Sequence, residues 1–374
     1  MKTKTTITDI RRRLAAVMIT FASVAGISAA RFEQNPQSCG MITLGMKSRK
    51  RLIKSLVIIL LTLQPAWFSL VAKAASIHSI NVLNSTAKLS ADPFDHIKQV
   101  KAGLLEVGYA EAGPATGEAI LLLHGWPYDI YSYKEVSEIL AAKGYRVVVP
   151  YLRGYGSTRF LSETTPRNGQ QSALAVDMIA FLDALKIKKA IVGGFDWGAR
   201  TADIMAALWP ERVIGLVSVS GYLIGSQAGN KAPLKPQAEL SWWYQYYFAT
   251  DRGQAGYQAN TAEFNKLIWQ MASPSWKFSQ ETYNRSAGSF NNPDHVKIVI
   301  DNYRWRLGMT RGEAKYDAFE AKLAAAPAIT VSAITLEGDA NGAPHPDPAS
   351  YAAKFKGKYR HRTISGGIGH TLQQ

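Results

Sequence analysis

The residues best placed to do chemistry are Gly194-Phe195-Asp196-Trp197-Gly198, a Gly-x-nucleophile-x-Gly turn whose central residue is a carboxylate. Such a turn holds the nucleophile on strained backbone between a strand and a helix, and its glycines let those backbones pass closely. A carboxylate is a poor nucleophile toward amides but adequate toward a strained or activated carbon. It then forms a covalent ester, which divides one hard displacement into two easier steps. In isolation, Gly-x-Asp-x-Gly also describes a βα turn whose Asp caps the next helix. The flanks favour the elbow: Lys189 to Val192 suits a buried strand, and Ala199 to Leu208 reads as a helix ending before Pro210.

Three more segments carry polar groups at strand ends. Leu121-Leu122-Leu123-His124-Gly125-Trp126-Pro127 is an apolar strand running into a tight turn upstream of the elbow. Ala333 to Asp339 places a carboxylate just past another apolar strand, and Gly366-Gly367-Ile368-Gly369-His370 places an imidazole past the next. An imidazole oriented by a carboxylate can activate water to hydrolyse an ester, so Asp339 and His370 are the expected acid and base. The other histidines fit less well. His124 belongs to its turn and suits a structural hydrogen bond, and His345 sits with Asp347 in a proline-rich loop. His361 lies among Tyr359, Arg360 and Arg362 and reads as surface, while His78, His96 and His295 have no matching partners.

From roughly Phe94 to the last residue, the chain resembles the α/β-hydrolase-fold epoxide hydrolases. The resemblance rests on His-Gly-Trp-Pro at 124–127, Gly-Phe-Asp-Trp-Gly at 194–198, Gly-His-Thr-Leu-Gln at 369–373, and the chain order nucleophile, acid, His. It implies an oxyanion hole made by the backbone amides of Trp126 and Trp197. It also implies two phenols that donate to the epoxide oxygen: Tyr244, which precedes Gln245, and Tyr303 in Asn302-Tyr303-Arg304. A phenol stays neutral at neutral pH and can donate to a developing alkoxide. Phe195 departs from the His more usual before the nucleophile, a change expected to affect packing more than chemistry. Five of the nine tryptophans also fall near these tyrosines, so packing is the plainer reading for Tyr246 and Tyr247. The site so implied uses no cofactor and no metal, and its partner is a small apolar epoxide of some bulk. Oligomeric state is left open.

The elements that must position these groups alternate as strand and helix. Apolar runs at Ala119 to Leu123, Tyr145 to Val149, Ala190 to Gly194, Val213 to Ser220, Ile329 to Leu336 and Arg362 to Ser365 predict an α/β fold with a mostly parallel doubly wound sheet. Between Gly221 and about Ala321 the alternation stops, which predicts an inserted helical lid over the strand ends. The expected organisation is therefore a hydrolase core over 75–221, a lid over 222–321 and the rest of the core over 322–374. The resemblance implies a final helix after His370, and the sequence has only Thr371 to Gln374 there. Its lack would leave apolar sheet surface exposed.

Charge separates the N-terminus from the rest. Residues 1–74 carry 12 Lys and Arg against 2 Asp and Glu, leaving 31 against 26 for the remaining chain. The basic balance therefore reads as a targeting signal and excludes a nucleic-acid surface as its cause. Met46 to Lys54 is a charged stretch, Ser55 to Val71 is mostly apolar, and Ala72-Lys73-Ala74 is an Ala-x-Ala cleavage site. This succession predicts export, with no membrane association once the signal is removed; the alternative is an uncleaved membrane anchor. Arg11-Arg12-Arg13 followed by Leu14 to Ala30 looks like a second signal, so Met41 or Met46 is the expected translation start. The only cysteine, Cys39, precedes both.

Two other functions share parts of this pattern. Haloalkane dehalogenases use the same nucleophile and base but need halide donors, and a catalytically silent binding protein could keep the fold alone. Export makes the first testable expectation: in a Gram-negative host, the processed protein should begin at Ala75. N-terminal sequencing that found Met1 on soluble cytoplasmic protein would contradict it.

Overall fold

A computed structural model describes residues 92–373 of the chain. The expected signal, its cleavage site, both alternative starts and Cys39 lie outside the described residues.

The described chain opens with antiparallel strands β1 (Lys98–Ala102) and β2 (Leu105–Ala112), followed by β3 (Ala119–Leu123), helix α1 (Lys134–Ala142), β4 (Arg146–Pro150) and the short β5 (Arg159–Phe160). Then come α2 (Gln171–Ala184), β6 (Ala190–Gly194), α3 (Trp197–Leu208) and β7 (Val213–Val219). After β7 the strands cease for over a hundred residues. Seven helices fill that interval: α4 (Pro236–Ser241), α5 (Trp243–Ala249), α6 (Asp251–Ala259), α7 (Thr261–Ala272), α8 (Gln280–Ala287), α9 (His295–Arg306) and α10 (Asp317–Ala324). The core resumes with β8 (Ala333–Gly338), α11 (Pro348–Tyr351) and β9 (Tyr359–Ile364).

The strands form one sheet in the order β1-β2-β4-β3-β6-β7-β8-β9, with β5 also pairing to β2. From β4 to β9 every neighbouring pair is parallel. The central strands β3 and β6 are apolar throughout and buried on both faces, as parallel strands covered by helices must be. Their pairing aligns Leu123 with Gly194, so the turns after the two strands emerge side by side. That register brings the Trp126 amide to the elbow.

The expected core strands are present, with two shifts. Ile329 makes only an isolated bridge to Phe355, and β8 begins at Ala333. The last strand starts earlier than expected, at Tyr359, because it is an edge strand whose half-exposed Tyr-Arg-His-Arg-Thr-Ile pattern lacks an apolar run. His361 is tied there by Thr335 Oγ1 at 3.0 Å from its Nδ1. The strands β1, β2 and β5 were not expected. No helix follows β9 among the described residues, and Leu216, Val217 and Leu336 of the sheet are buried.

Two buried charges bear on stability. Arg153 binds Asp177 with Nε and Nη2 at 2.6 and 2.8 Å, both side chains being buried. Asp203 on α3 is different: its Oδ2 accepts from the Leu223 amide at 2.8 Å, its Oδ1 has no partner, and burial pushes its pKa up to about 8. The folded state thus keeps a proton that the unfolded chain releases above pH ~4. This group therefore lowers stability progressively as pH rises from the unfolded value through the folded one. Asp203→Asn keeps the acceptor for Leu223 and removes the titration. Its gain in thermal midpoint should be larger near pH 8 than near pH 5, and an equal change at both would show that Asp203 is not a buried acid.

Candidate active site

The elbow holds Asp196 at φ 53° and ψ −122°, a conformation costing a non-glycine residue roughly 1–3 kcal/mol. Neighbouring backbones enforce it. A Cβ on Gly198 would lie 2.0 Å from the Leu123 carbonyl oxygen, and one on Gly125 would lie 2.4 Å from Asp196 Cβ. Glycine is therefore required for the turn after β3 and the elbow after β6 to touch. Phe195 is fully buried against Tyr128 and Tyr133, with ring centroids at 5.2 and 5.8 Å, so its departure from His is absorbed by packing.

That contact delivers the Trp126 amide to Asp196 Oδ1 at 2.8 Å, and the Trp197 amide favours the charged carboxylate from the start of α3. The other oxygen, Oδ2, lies 3.6 Å from His370 Nε2. Burial opposes ionisation of Asp196, but His370 and the two amides outweigh it and hold the carboxyl below its ordinary range. Asp196 is thus an ionised carboxylate with one oxygen clamped and the other facing an imidazole. The turn that supplies Trp126 is itself secured. His124 Nδ1 donates to the Gly125 carbonyl at 3.0 Å while Nε2 accepts from the Leu152 amide at 3.2 Å, and burial pushes its pKa down to about 4. It is the neutral structural histidine that its position suggested.

The inserted helices grip the same turn from the opposite side. Trp269 Nε1 on α7 donates to the Pro127 carbonyl at 2.7 Å, and its ring stacks on Tyr128 at 4.7 Å. Trp126 Nε1 donates to Tyr257 Oη at 3.0 Å, and that oxygen is also 2.9 Å from His295 Nε2. His295, which had no partner in the sequence pattern, is buried in this network with its Nδ1 at 2.9 Å from the Gly154 carbonyl.

Tyr244 on α5 and Tyr303 on α9 meet edge-on, with centroids 5.4 Å apart, and both rings touch Trp126. Both line one cavity with Asp196, Trp197 and His370. Burial raises both phenol pKa values, and the Asp196 charge raises them further, so both keep their protons at neutral pH. Tyr247 stacks on Phe264 as lid core should. Tyr246 corrects the packing reading, because it is exposed and bonds to Glu239.

Asp339 requires a second correction. Its carboxylate accepts from the amides of Gly366 and Ile368, each at 2.8 Å, and these bonds hold it ionised. His370 Nδ1 is buried without a hydrogen-bond partner. Asp339 thus fixes the turn that carries His370 but does not touch the imidazole. The physical reason is competition: the tight glycine turn after β9 presents its amides to the nearest acceptor at the end of β8. Sequence reasoning also passed over Arg200, Arg306 and His345, all of which line the cavity. Arg200 had a readable signal: it lies one helical turn beyond Asp196, on a helix expected to pack against the sheet.

Residues 118–289 match the family described as the alpha/beta hydrolase fold. A crystal structure of a Klebsiella pneumoniae protein assigned as an epoxide hydrolase is 63% identical, with a TM-score of 0.75, and the match covers 75% of this chain and 93% of that one. The chain belongs to the α/β-hydrolase-fold epoxide hydrolase family. Epoxide hydrolase B of Mycobacterium tuberculosis is 37% identical over 150 residues, spanning 37% of this chain and 41% of that protein. The matched stretch thus covers about two-fifths of that curated relative's length. A Pseudomonas aeruginosa structure of similar assignment shares the fold at 22% identity and a TM-score of 0.62.

An acid bonded to an imidazole and an acid bonded to the loop that carries it differ in consequence. Asp339→Asn can satisfy only one of the two amides, so it should lower the urea midpoint of unfolding. Turnover should fall far less than the ~10⁴-fold lost when a triad acid in contact with its histidine is neutralised. A full loss of that size with unchanged stability would return Asp339 to the imidazole.

Proposed function

We propose that this protein hydrolyses an epoxide to a vicinal diol through a covalent ester on Asp196. The observation that carries the reading is the division of labour on one carboxylate: Oδ1 is held by the Trp126 amide, while two neutral phenols share the cavity with the carboxylate. Membership of the epoxide hydrolase family supports it.

In the first step, Oδ2 attacks an epoxide carbon, the strained C–O bond breaks, and Tyr244 and Tyr303 donate to the departing oxygen. Neither phenol needs to lose its proton beforehand, because burial has made both weak acids. In the second step, His370 Nε2 takes a proton from water, which adds to the ester carbon. Charge then develops on Oδ1, where the Trp126 amide already lies, so this donor requires no reorganisation. Such a donor is worth roughly 3–4 kcal/mol in comparable sites. Collapse breaks the bond from the Asp196 carboxyl carbon to Oδ2, and protonated His370 returns its proton to that departing oxygen. The second proton of the water replaces the one a phenol gave to the first alkoxide, so the diol leaves and Asp196 is returned as a carboxylate. Asp339 serves this step by holding the His370 turn. Export of the enzyme remains part of the proposal, on the strength of the N-terminal succession ending at Ala74.

A single turnover in ¹⁸O-labelled water should leave the label on the Asp196 carboxylate and deliver unlabelled oxygen to the diol. His370→Gln should open the epoxide and stall with a covalent adduct on the peptide containing Asp196, and Asp196→Ala should form none. Label appearing directly in the diol would mean that water attacks the epoxide itself. Halide release from chlorinated or brominated alkanes without diol formation would favour a dehalogenase.

A further inference from the structure

The same cavity, of about 470 Å³, contains two cations that the proposed chemistry does not use. Arg200 is only 7% exposed, and its Nε and Nη2 are enclosed without a hydrogen-bond partner. Arg306, at the end of α9, lies over the Trp242 and Tyr303 rings at 5.2 and 5.9 Å. Neither arginine has a carboxylate within ion-pair distance among the described residues. Glu320, whose charge reaches Arg200, is occupied by Ser172 and by the side-chain amides of Gln170 and Gln171. Two like charges are thus held near one another beside an apolar, aromatic cavity, and each raises the cost of the other. Buried guanidinium groups are ordinarily paired, and among the described residues this pair has no carboxylate to complete it.

We propose that the arginine end of the cavity binds a carboxylate carried by the substrate, so that the preferred epoxide is an epoxy acid and not a purely apolar epoxide. This deepens the proposed activity and rests on it. Arg200 lies 5.8 Å from the Trp197 ring, the Trp197 and Tyr303 rings are 6.0 Å apart, and both rings line the cavity with Asp196 and the two arginines. A carboxylate seated on Arg200 and Arg306 would therefore leave an apolar spacer against these rings and present the epoxide to Asp196 Oδ2. No covalent step is added: the arginines bind and orient.

Binding can be tested apart from turnover. Calorimetry with octanoate and octanamide, which cannot react, should show octanoate bound at least about tenfold tighter by the wild-type protein, as expected for a charge-assisted hydrogen bond. Arg306→Gln should erase most of that ratio, and Arg306→Lys, which keeps the charge, should retain part of it. In turnover, a medium-chain acid with a terminal epoxide should have a lower KM than its primary amide, and Arg306→Gln should narrow this difference. Equal binding of octanoate and octanamide, or a ratio unchanged in Arg306→Gln, would overturn the proposal. Equal slowing of acid and amide in that variant would also overturn it, by showing that the arginine acts on the phenols. Octanoate binding without any epoxide opening would instead count against the hydrolase reading while leaving the anion site standing.

Discussion

The hydrogen bond from the Trp126 amide to Asp196 Oδ1 is the contact on which the site depends. It exists only because β3 and β6 are adjacent and in register, with Leu123 opposite Gly194, so that two sharp turns leave the sheet at the same level. Both turns are too close for a side chain at Gly125 or Gly198. The strain at Asp196 is then a consequence of packing: the surrounding backbones fix a conformation that the residue alone would avoid. Together with His370, the same contact holds the carboxylate ionised and leaves Oδ2 facing the imidazole.

The helical insertion does more than cover this turn. Trp269 and Tyr257 bond to it from above, at the Pro127 carbonyl and at the Trp126 indole, so the donor in the core is braced by residues far along the chain. The aromatic density of the insertion therefore has two physical roles at once. Rings such as Tyr247, Phe248 and Phe264 bury apolar surface, whereas Tyr244 and Tyr303, packed in the same cluster, also line the cavity.

Electrostatics divides the cavity. Near the elbow a single carboxylate meets an imidazole and two amides; the same cavity holds two arginines against aromatic rings, with no carboxylate in ion-pair distance of them among the described residues. Asp339, which could have joined the first group, is instead spent on the backbone of the His370 turn. The imidazole is consequently placed by its loop, through the bond from its own amide to the Ala272 carbonyl, with no side-chain partner on Nδ1.

Local sequence determined the elbow, the buried parallel strands and the helical interval after β7, because each depends on residue types at short spacing: glycines around a nucleophile, unbroken apolar runs, and a loss of strand and helix alternation. It also marked Tyr244 and Tyr303 by their neighbours. It could not show that Asp339 faces two amides instead of His370, since proximity in a tight turn is decided by backbone dihedrals and not by chain order. The antiparallel β1 and β2 were equally hidden, as their half-exposed Lys-Gln-Val-Lys-Ala and Glu-bearing segments lack a continuous apolar run. Arg200 and Arg306 lie more than a hundred residues apart and read singly as helix-face charges. Only the tertiary structure brings them into one cavity without a counter-charge, because the pairing of charges is a property of the space between elements.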